Sequence, residues 1–500
     1  MYKKIKGSKY FNTIIFHLVT NVLFVFTVTL SSYFNIPLKG KGILLYLGHL
    51  FLLQSTVAGF IYLLSLHKIL FKYIFSILYI LLGGFAYWVY SLDISISPVI
   101  IEATLQTETN LISDLLTIHF IFYLLILMGC LRLILFLYNR VDIKYNSFLL
   151  IIALGLISLF FVVENRKPDT FKVKLPYQLF FSLFDYTVQK DLVLEDISDL
   201  NFKSSLQENI QVTFVLGETV RADHLGINGY YRNTTPHLSK IKDNFITYPN
   251  LYTNKVLTSQ SIPQIFTNKS IYDTLSVHDR SIFSVLNKID ISTSWIGNQH
   301  LESSYKSIAT SNQSVINIDK WKSSHSYNKV KDGVLVSFLK ENLEKHKFSN
   351  NMTTLHMVGS HWWYEKRYPD AFRKYLPVID SKYLPSLSKE SIINSYDNTI
   401  LYLDFVLNEI IKTHLSYSKP SIVLYVSDHG EDLGENGKWL HGHESKYVAN
   451  PGFMIWYSDD FKLKFPEKVT YINALNKPNL TTDAIYHLII KLFEIDELKH

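Results

Sequence analysis

The sequence predicts two architectures in one chain: a transmembrane domain of five helices, followed by a soluble α/β domain with a mainly parallel sheet. Three observations carry this expectation. Apolar residues make up 48% of the 500 residues, yet they crowd into five separated runs before residue 165. From residue 206 onward, short β-branched runs alternate with helical patterns, as in βαβ units. Two of those β runs end abruptly in acids, Glu218 after 212–216 and Asp428 after 422–426.

The five apolar runs are 11–33, 43–66, 70–92, 116–138 and 147–164. Each is near the ~20 residues that cross a bilayer as a helix. The first is too long, and too poor in small residues at its end, for a removable signal peptide. Lys3, Lys4, Lys6 and Lys9 precede it, Lys68 and Lys72 fall between spans two and three, and Arg140 and Lys144 between spans four and five. The opposite loops hold only Lys39 and Lys41, so the amino terminus is expected inside and the region after span five outside. The outside loop 93–115 is acidic and lacks Lys and Arg. It reads either as a solvated loop with a short amphipathic helix, or as a lid with Glu102, Gln106, Thr107 and Glu108 as polar contacts.

Residues 166–205 change character. The stretch 175–188 is aromatic and apolar but broken by Gln178 and Asp185, which suits a helix lying along a membrane surface. This gives three segments: 1–165 in the membrane, 166–205 as an amphipathic bridge, and 206–500 as the soluble domain.

In the soluble domain, 212–216, 292–296, 352–357, 422–426 and 453–457 read as strands, and 332–345, 388–413 and 481–494 as helices. Thr235-Pro236 reads as a capped helix start. The net charge of +6 is mild for this length, and it implies no nucleic-acid partner. The single cysteine, Cys130, sits in an apolar run and excludes an intrachain disulfide or a cysteine metal site.

Candidate chemistry gathers at strand ends, where open α/β sheets put their ligands. The 422–426 run stops at Ser427-Asp428-His429-Gly430, and Asp oxygen with His nitrogen is ordinary zinc-ligand chemistry. A plain polar turn would use the same residue types. Glu218 arrives at the same edge if the sheet is parallel, although capping the next helix would also explain it. Thr258, Ser259 and Ser261 cluster ahead of Pro263 at an expected helix start. There a hydroxyl either caps the helix or, beside a metal, becomes a nucleophile. His361 follows the 352–357 run, and His441 and His443 follow the Asp428 loop, as candidates for a second metal position or a phosphate. His356, inside its run, reads as a core residue.

These motifs combine into a familiar pattern. GETVRADHLGINGYYRNTTPHLSK (217–240) and SDHGEDLGENGKWLHG (427–442) resemble the two signatures of the bacterial phosphoethanolamine transferases, within the sulfatase/alkaline-phosphatase superfamily. This group includes the lipid A-modifying enzymes behind polymyxin resistance. INSYDN (393–398) and the five-span plan extend the likeness along the chain. The resemblance implies that Glu218, Asp428 and His429 hold a catalytic Zn2+, with Thr258 as nucleophile and fourth ligand. It also implies that His361 and His441 bind substrate phosphate or a second zinc, and that Gln299 in WIGNQ lies near the donor head group. Through the same likeness, loop 93–115 faces the lipid donor. The implied location is the bacterial inner membrane, multi-pass, with the catalytic domain in the periplasm.

Two departures from the family pattern stand out. This chain lacks the disulfides of the lipid A enzymes, and Asn254-Lys255-Val256-Leu257 replaces the usual CGTxT flank of the nucleophile. The acceptor is therefore open among lipid A, core sugar, another glycan and a protein. The implied reaction moves phosphoethanolamine from phosphatidylethanolamine to Thr258, releasing diacylglycerol, and then to a surface glycolipid such as lipid A or lipopolysaccharide core. The alternatives are a phosphoglycerol transferase or phosphohydrolase with the same apparatus, or a non-catalytic membrane sensor that kept the fold. A sulfatase would need a cysteine or serine to convert to formylglycine, which Thr258 cannot supply.

Overall fold

The computed structural model describes residues 2–33, 41–91, 118–141, 146–188, 192–241, 243–273, 279–299, 301–319, 330–380, 387–417, 419–475 and 479–498, together with 96, 98 and 101. They divide into two compact units, one within 1–189 and the other comprising 190–380 with 387–500.

The first unit is helical. Its helices are α1 (Tyr2–Thr27), α2 (Lys41–Ser65), α3 (Ser76–Ser91, entered through a π-helical turn Leu70–Phe75), α4 (Ile118–Tyr138), α5 (Ser147–Arg166) and α6 (Tyr177–Val188). Among the described residues, four helices are long and apolar enough to cross a bilayer: Ile43–Ser65, Leu70–Ser91, Ile118–Tyr138 and Ser147–Arg166. The apolar part of α1, Phe11–Thr27, is shorter. Side-chain hydrogen bonds tie the bundle where lipid could not satisfy them: Gln54 donates to Asn21 at 2.9 Å, Thr29 to Gln54 at 3.0 Å, and Tyr123 to the Thr27 carbonyl at 2.7 Å. Helix α6 is amphipathic, with Leu179 and Ser182 buried and Phe184 and Val188 exposed.

The second unit carries strands β1 (Asn201–Ser204), β2 (Gln211–Gly217), β3 (Phe245–Thr247), β4 (Ser292–Gly297), β5 (Ser314–Asn317), β6 (Asn351–His356), β7 (Ser421–Ser427), β8 (Asp432–Leu433), β9 (Trp439–Leu440), β10 (Phe453–Tyr457) and β11 (Ile495–Leu498). Seven of them form one sheet in the order β3-β10-β7-β2-β6-β4-β5. Every residue of β2, β6 and β7 is buried, so these strands are covered on both faces, which is why they read as continuous apolar runs.

The sheet is mainly parallel, as expected, but mixed, because one strand runs against the others. β7, β2, β6, β4 and β5 run parallel, but β10 is antiparallel to both β7 and β3. No helix crossover separates β7 from β10, only the small β8–β9 hairpin, so the chain returns in the opposite sense. The short edge strands β3 and β5, and the β1–β11 pair, fell below what sequence periodicity resolves.

The expected helices appear as α10 (Leu335–Lys345), α11 (Lys389–Leu415) and α14 (Ala484–Leu492). Between and around them lie α7 (Thr258–Phe266), α8 (Ile282–Lys288), α9 (Ser303–Thr310), α12 (Asp459–Lys464) and α13 (Pro466–Ala474). The helix expected at Thr235-Pro236 is only a 3-10 turn, Leu238–Lys240. Its free amides at His237 and Leu238 go to the Asp404 carboxylate, each at 2.8 Å. Register aligns Gly217 with Ser427, and Leu216 and Gly297 each with His356. The residues that follow β2, β7, β6 and β4 therefore emerge at one edge.

Candidate active site

At that edge the chain leaves β2 through Glu218 and Thr219, and β7 through Asp428 and His429. Thr219 adopts a positive φ of 64°, which turns its amide toward Asp428 Oδ1 at 3.0 Å while its hydroxyl donates to Glu218 Oε1 at 2.8 Å. The His429 amide donates to the same Asp428 oxygen at 2.8 Å. The other oxygen, Oδ2, is buried without a well-formed hydrogen bond, and His429 Nε2 lies 3.2 Å away. His429 Nδ1 sits 2.9 Å from the Gly430 carbonyl. A carbonyl only accepts, so Nδ1 carries the proton and the Nε2 lone pair faces the two carboxylates.

Helix α7 brings the hydroxyl. Its N-cap is Leu257, which makes no side-chain cap. Thr258, half-buried at the first helical position, donates instead to Glu218, at 3.1 Å from Oε1 and 3.0 Å from Oε2. His429 Nε2 lies 3.5 Å from the same hydroxyl. Close approach is built in on the far side as well. Gly359 has φ 58°, and a Cβ there would stand 2.6 Å from the Glu218 carbonyl oxygen.

Electrostatics follow from burial. Burial first, and Asp428 second, push the Glu218 carboxyl up to about 7, and burial pushes Asp428 up to about 6. Burial, reinforced by His441, lowers His429 to about 4. Two buried acids and a neutral imidazole thus converge, with one ligand atom from each lying within 4.8 Å of the others. A divalent cation fits such a set: it would satisfy the orphaned Asp428 oxygen and offset the like charges, and mixed carboxylate and imidazole donors are zinc-type ligands.

The structure brings in the remaining expected residues through contacts. Gln299 Nε2 donates to the Met357 carbonyl at 2.7 Å and to Glu218 Oε2 at 3.3 Å. The His441 ring lies 4.4 Å from that of His429 and 5.7 Å from that of His361. His361 is held through its carbonyl by Arg367 Nε at 2.7 Å. Sequence reasoning passed over Glu431, which is fully buried, accepts from His441 Nδ1 at 3.0 Å and from the Tyr364 hydroxyl at 3.1 Å. Burial opposes charge on His441, but the Glu431 carboxylate prevails and lifts it to about 9. Its place in the motif, three residues after Asp428, was the available signal.

His443 turns instead to Asp432 at 2.7 Å, and His356 is a core residue. Glu102, Gln106, Thr107 and Glu108 lie outside the described residues. A cavity of about 700 Å³ lined by Lys464, Lys468, Tyr471, His487 and Lys491 shares no residue with this site.

The sulfatase family model matches residues 211–494, the whole sheet and every residue of this cluster. The chain belongs to the sulfatase family. A second model, for the phosphoethanolamine transferases EptA/EptB, matches residues 55–165. Among curated proteins, the phosphoethanolamine transferase EptA of Escherichia coli K12 is 30% identical over 266 residues, 50% of this chain and 47% of that protein. The chain thus spans about half the length of the curated relatives it matches. Among solved structures, the soluble domain of lipooligosaccharide phosphoethanolamine transferase A from Neisseria meningitidis aligns with 61% of this sulfatase-family chain and 94% of its own, at 25% identity and a TM-score of 0.54. The integral membrane form of that protein shares the fold over 93% of this chain and 94% of its own, at 23% identity and a TM-score of 0.54.

Proposed function

We propose that this protein transfers phosphoethanolamine from phosphatidylethanolamine to a cell-surface glycolipid, such as lipid A or lipopolysaccharide core, through a covalent intermediate on Thr258. One observation carries the reading: a half-buried helix-start hydroxyl is directed at a buried carboxylate rather than at a cap. The name of the E. coli relative, a phosphoethanolamine transferase, supports the transferred group, and the Neisseria relative's name mentions lipooligosaccharide.

Glu218, Asp428 and His429 would hold a zinc ion with Thr258 as fourth ligand, and its Lewis acidity would make the Thr258 alkoxide accessible. Thr258 Oγ1 attacks the donor phosphorus, and the phosphorus–oxygen bond to diacylglycerol breaks. Glu218, already the acceptor of the Thr258 hydrogen bond, receives the hydroxyl proton. His441, backed by Glu431, gives a proton to the departing diacylglycerol oxygen. In the second half, an acceptor hydroxyl passes its proton to His441 and attacks phosphorus, and Thr258 leaves with the proton held on Glu218. His361 takes a non-bridging oxygen, and Gln299 steadies Glu218 through its hydrogen bond.

The proposal includes five membrane spans, with α1 as the first, and a bacterial inner-membrane location with the soluble domain in the periplasm. The basic residues at the amino terminus, at Lys68 and Lys72 and at Arg140 support that orientation. The test is to incubate the purified full chain with phosphatidylethanolamine and map modified peptides. Phosphoethanolamine on Thr258 is expected; its appearance on another residue overturns the nucleophile assignment. Mass spectrometry of surface glycolipids with and without the gene identifies the acceptor.

A further inference from the structure

We propose that Arg132 anchors an anionic phospholipid on the lipid-facing side of α4. The inference rests on α4 being a membrane span, which its 21 apolar-rich residues suit. Phe120, Leu127, Ile134 and Tyr138 are its buried residues and mark the stripe that packs into the bundle. At 100° per residue, Arg132 lies roughly 140–160° around the helix from Leu127 and Ile134. It is exposed, on the side turned away from the bundle. An arginine there is expensive unless an anion meets it.

The surroundings are a shallow apolar depression on the exposed side of α4 and its carboxyl end. Arg132 lines it with Met128, Leu131, Leu135, Phe136 and Asn139, and its volume is about 370 Å³. Arg132, Phe136 and Arg140 follow one another at four-residue intervals, so they share a stripe. The Arg140 guanidinium lies 4.0 Å over the Phe136 ring, at the end of the span. Among the described residues no carboxylate pairs with either arginine. Arg132 is the one charged residue lining this apolar patch, with Arg140 just beyond it at the helix end. Among the described residues no acid lines it, which complements a lipid with a net negative head group and acyl chains.

Depth separates this from ordinary snorkelling. Arg132 precedes Tyr138 by six residues, about 9 Å of helix rise. A helical Cβ tilts toward the amino end, away from the nearer end of this span. The guanidinium therefore reaches the head-group level less easily than Arg140 does, and a phosphodiester drawn into the depression completes its coordination. Asn139 and Arg140 then meet the rest of the head group.

The test is native mass spectrometry of the full chain in detergent with equal amounts of phosphatidylglycerol and phosphatidylethanolamine. Wild-type protein is expected to retain phosphatidylglycerol preferentially. At about 1 kcal/mol per basic residue near a charged lipid surface, Arg132→Gln should lower that occupancy about fivefold. Arg166→Gln, at the end of a different span, should leave it unchanged. Equal retention of the two lipids by wild type, or unchanged retention in Arg132→Gln, overturns the proposal. A lipid-free dimer that Arg132→Gln dissolves also overturns it, since a second copy would then occupy the depression.

Discussion

Thr258 and Glu218, 40 residues apart in sequence, meet through a single hydroxyl that reaches both carboxylate oxygens at 3.1 and 3.0 Å. The contact joins a helix start to a strand end, and it leaves the hydroxyl half-exposed over a fully buried set of Glu218, Asp428 and His429. The partly exposed Thr258 thus stands between solvent and three groups that are themselves shielded from water.

Thr258→Ala should abolish diacylglycerol release from phosphatidylethanolamine, by at least ~10³-fold if the hydroxyl is the nucleophile. Thr258→Ser keeps the oxygen and should retain part of the activity. A threonine that only stabilised the helix would show the reverse: small losses in turnover with matching losses in melting temperature.

A chelator should lower the melting temperature of the wild-type chain, and added zinc should restore it. A ligand at 100 times its dissociation constant stabilises a fold by about 2.7 kcal/mol. Asp428→Asn removes one carboxylate charge from the cluster, so its melting temperature should respond weakly to chelator. Equal responses in the two proteins would place the metal elsewhere.

Glu431→Gln keeps the shape of a buried side chain that accepts from both His441 and Tyr364. Outer partners of this kind are typically worth 10–100-fold in activity, and a drop of about that size is expected. Melting temperature should change little. The alkaline limb of the pH–rate profile for diacylglycerol release should move to lower pH, because His441 must carry a proton to donate it and loses the carboxylate that helps hold it. An unchanged profile would make Glu431 merely structural.

His414 offers a pH prediction away from the site. It is buried in α11, its Nε2 is 2.8 Å from the Thr213 hydroxyl, and burial lowers it to about 3 from 6.5. Below pH 6.5 the unfolded chain takes up a proton that the folded chain refuses. The stability from this group is therefore complete above that pH and lost progressively as the pH falls toward about 3. The double variant Thr213→Val with His414→Phe should show a shallower loss of melting temperature between neutral pH and pH 5 than wild type, and an equal slope would remove His414 from the acid response.

The sequence by itself determined where the apolar spans and the buried strands lie, because both are local patterns of solvent preference. It also determined which residues could do chemistry, since Glu218, Asp428 and His429 stand where apolar strand runs stop. Periodicity carries no strand direction, so the antiparallel β10 and the mixed sheet emerged only from the way the chain returns after β7. Capping and nucleophilic roles for Thr258 use the same residue at the same helix start. Only the tertiary arrangement shows that Leu257 holds the cap position and that the Thr258 hydroxyl donates to Glu218, the contact on which the proposed nucleophilic role rests. Glu431 was hidden for a related reason: a buried acid is visible in sequence only as an acid, and its meaning comes from the histidine that packing puts against it.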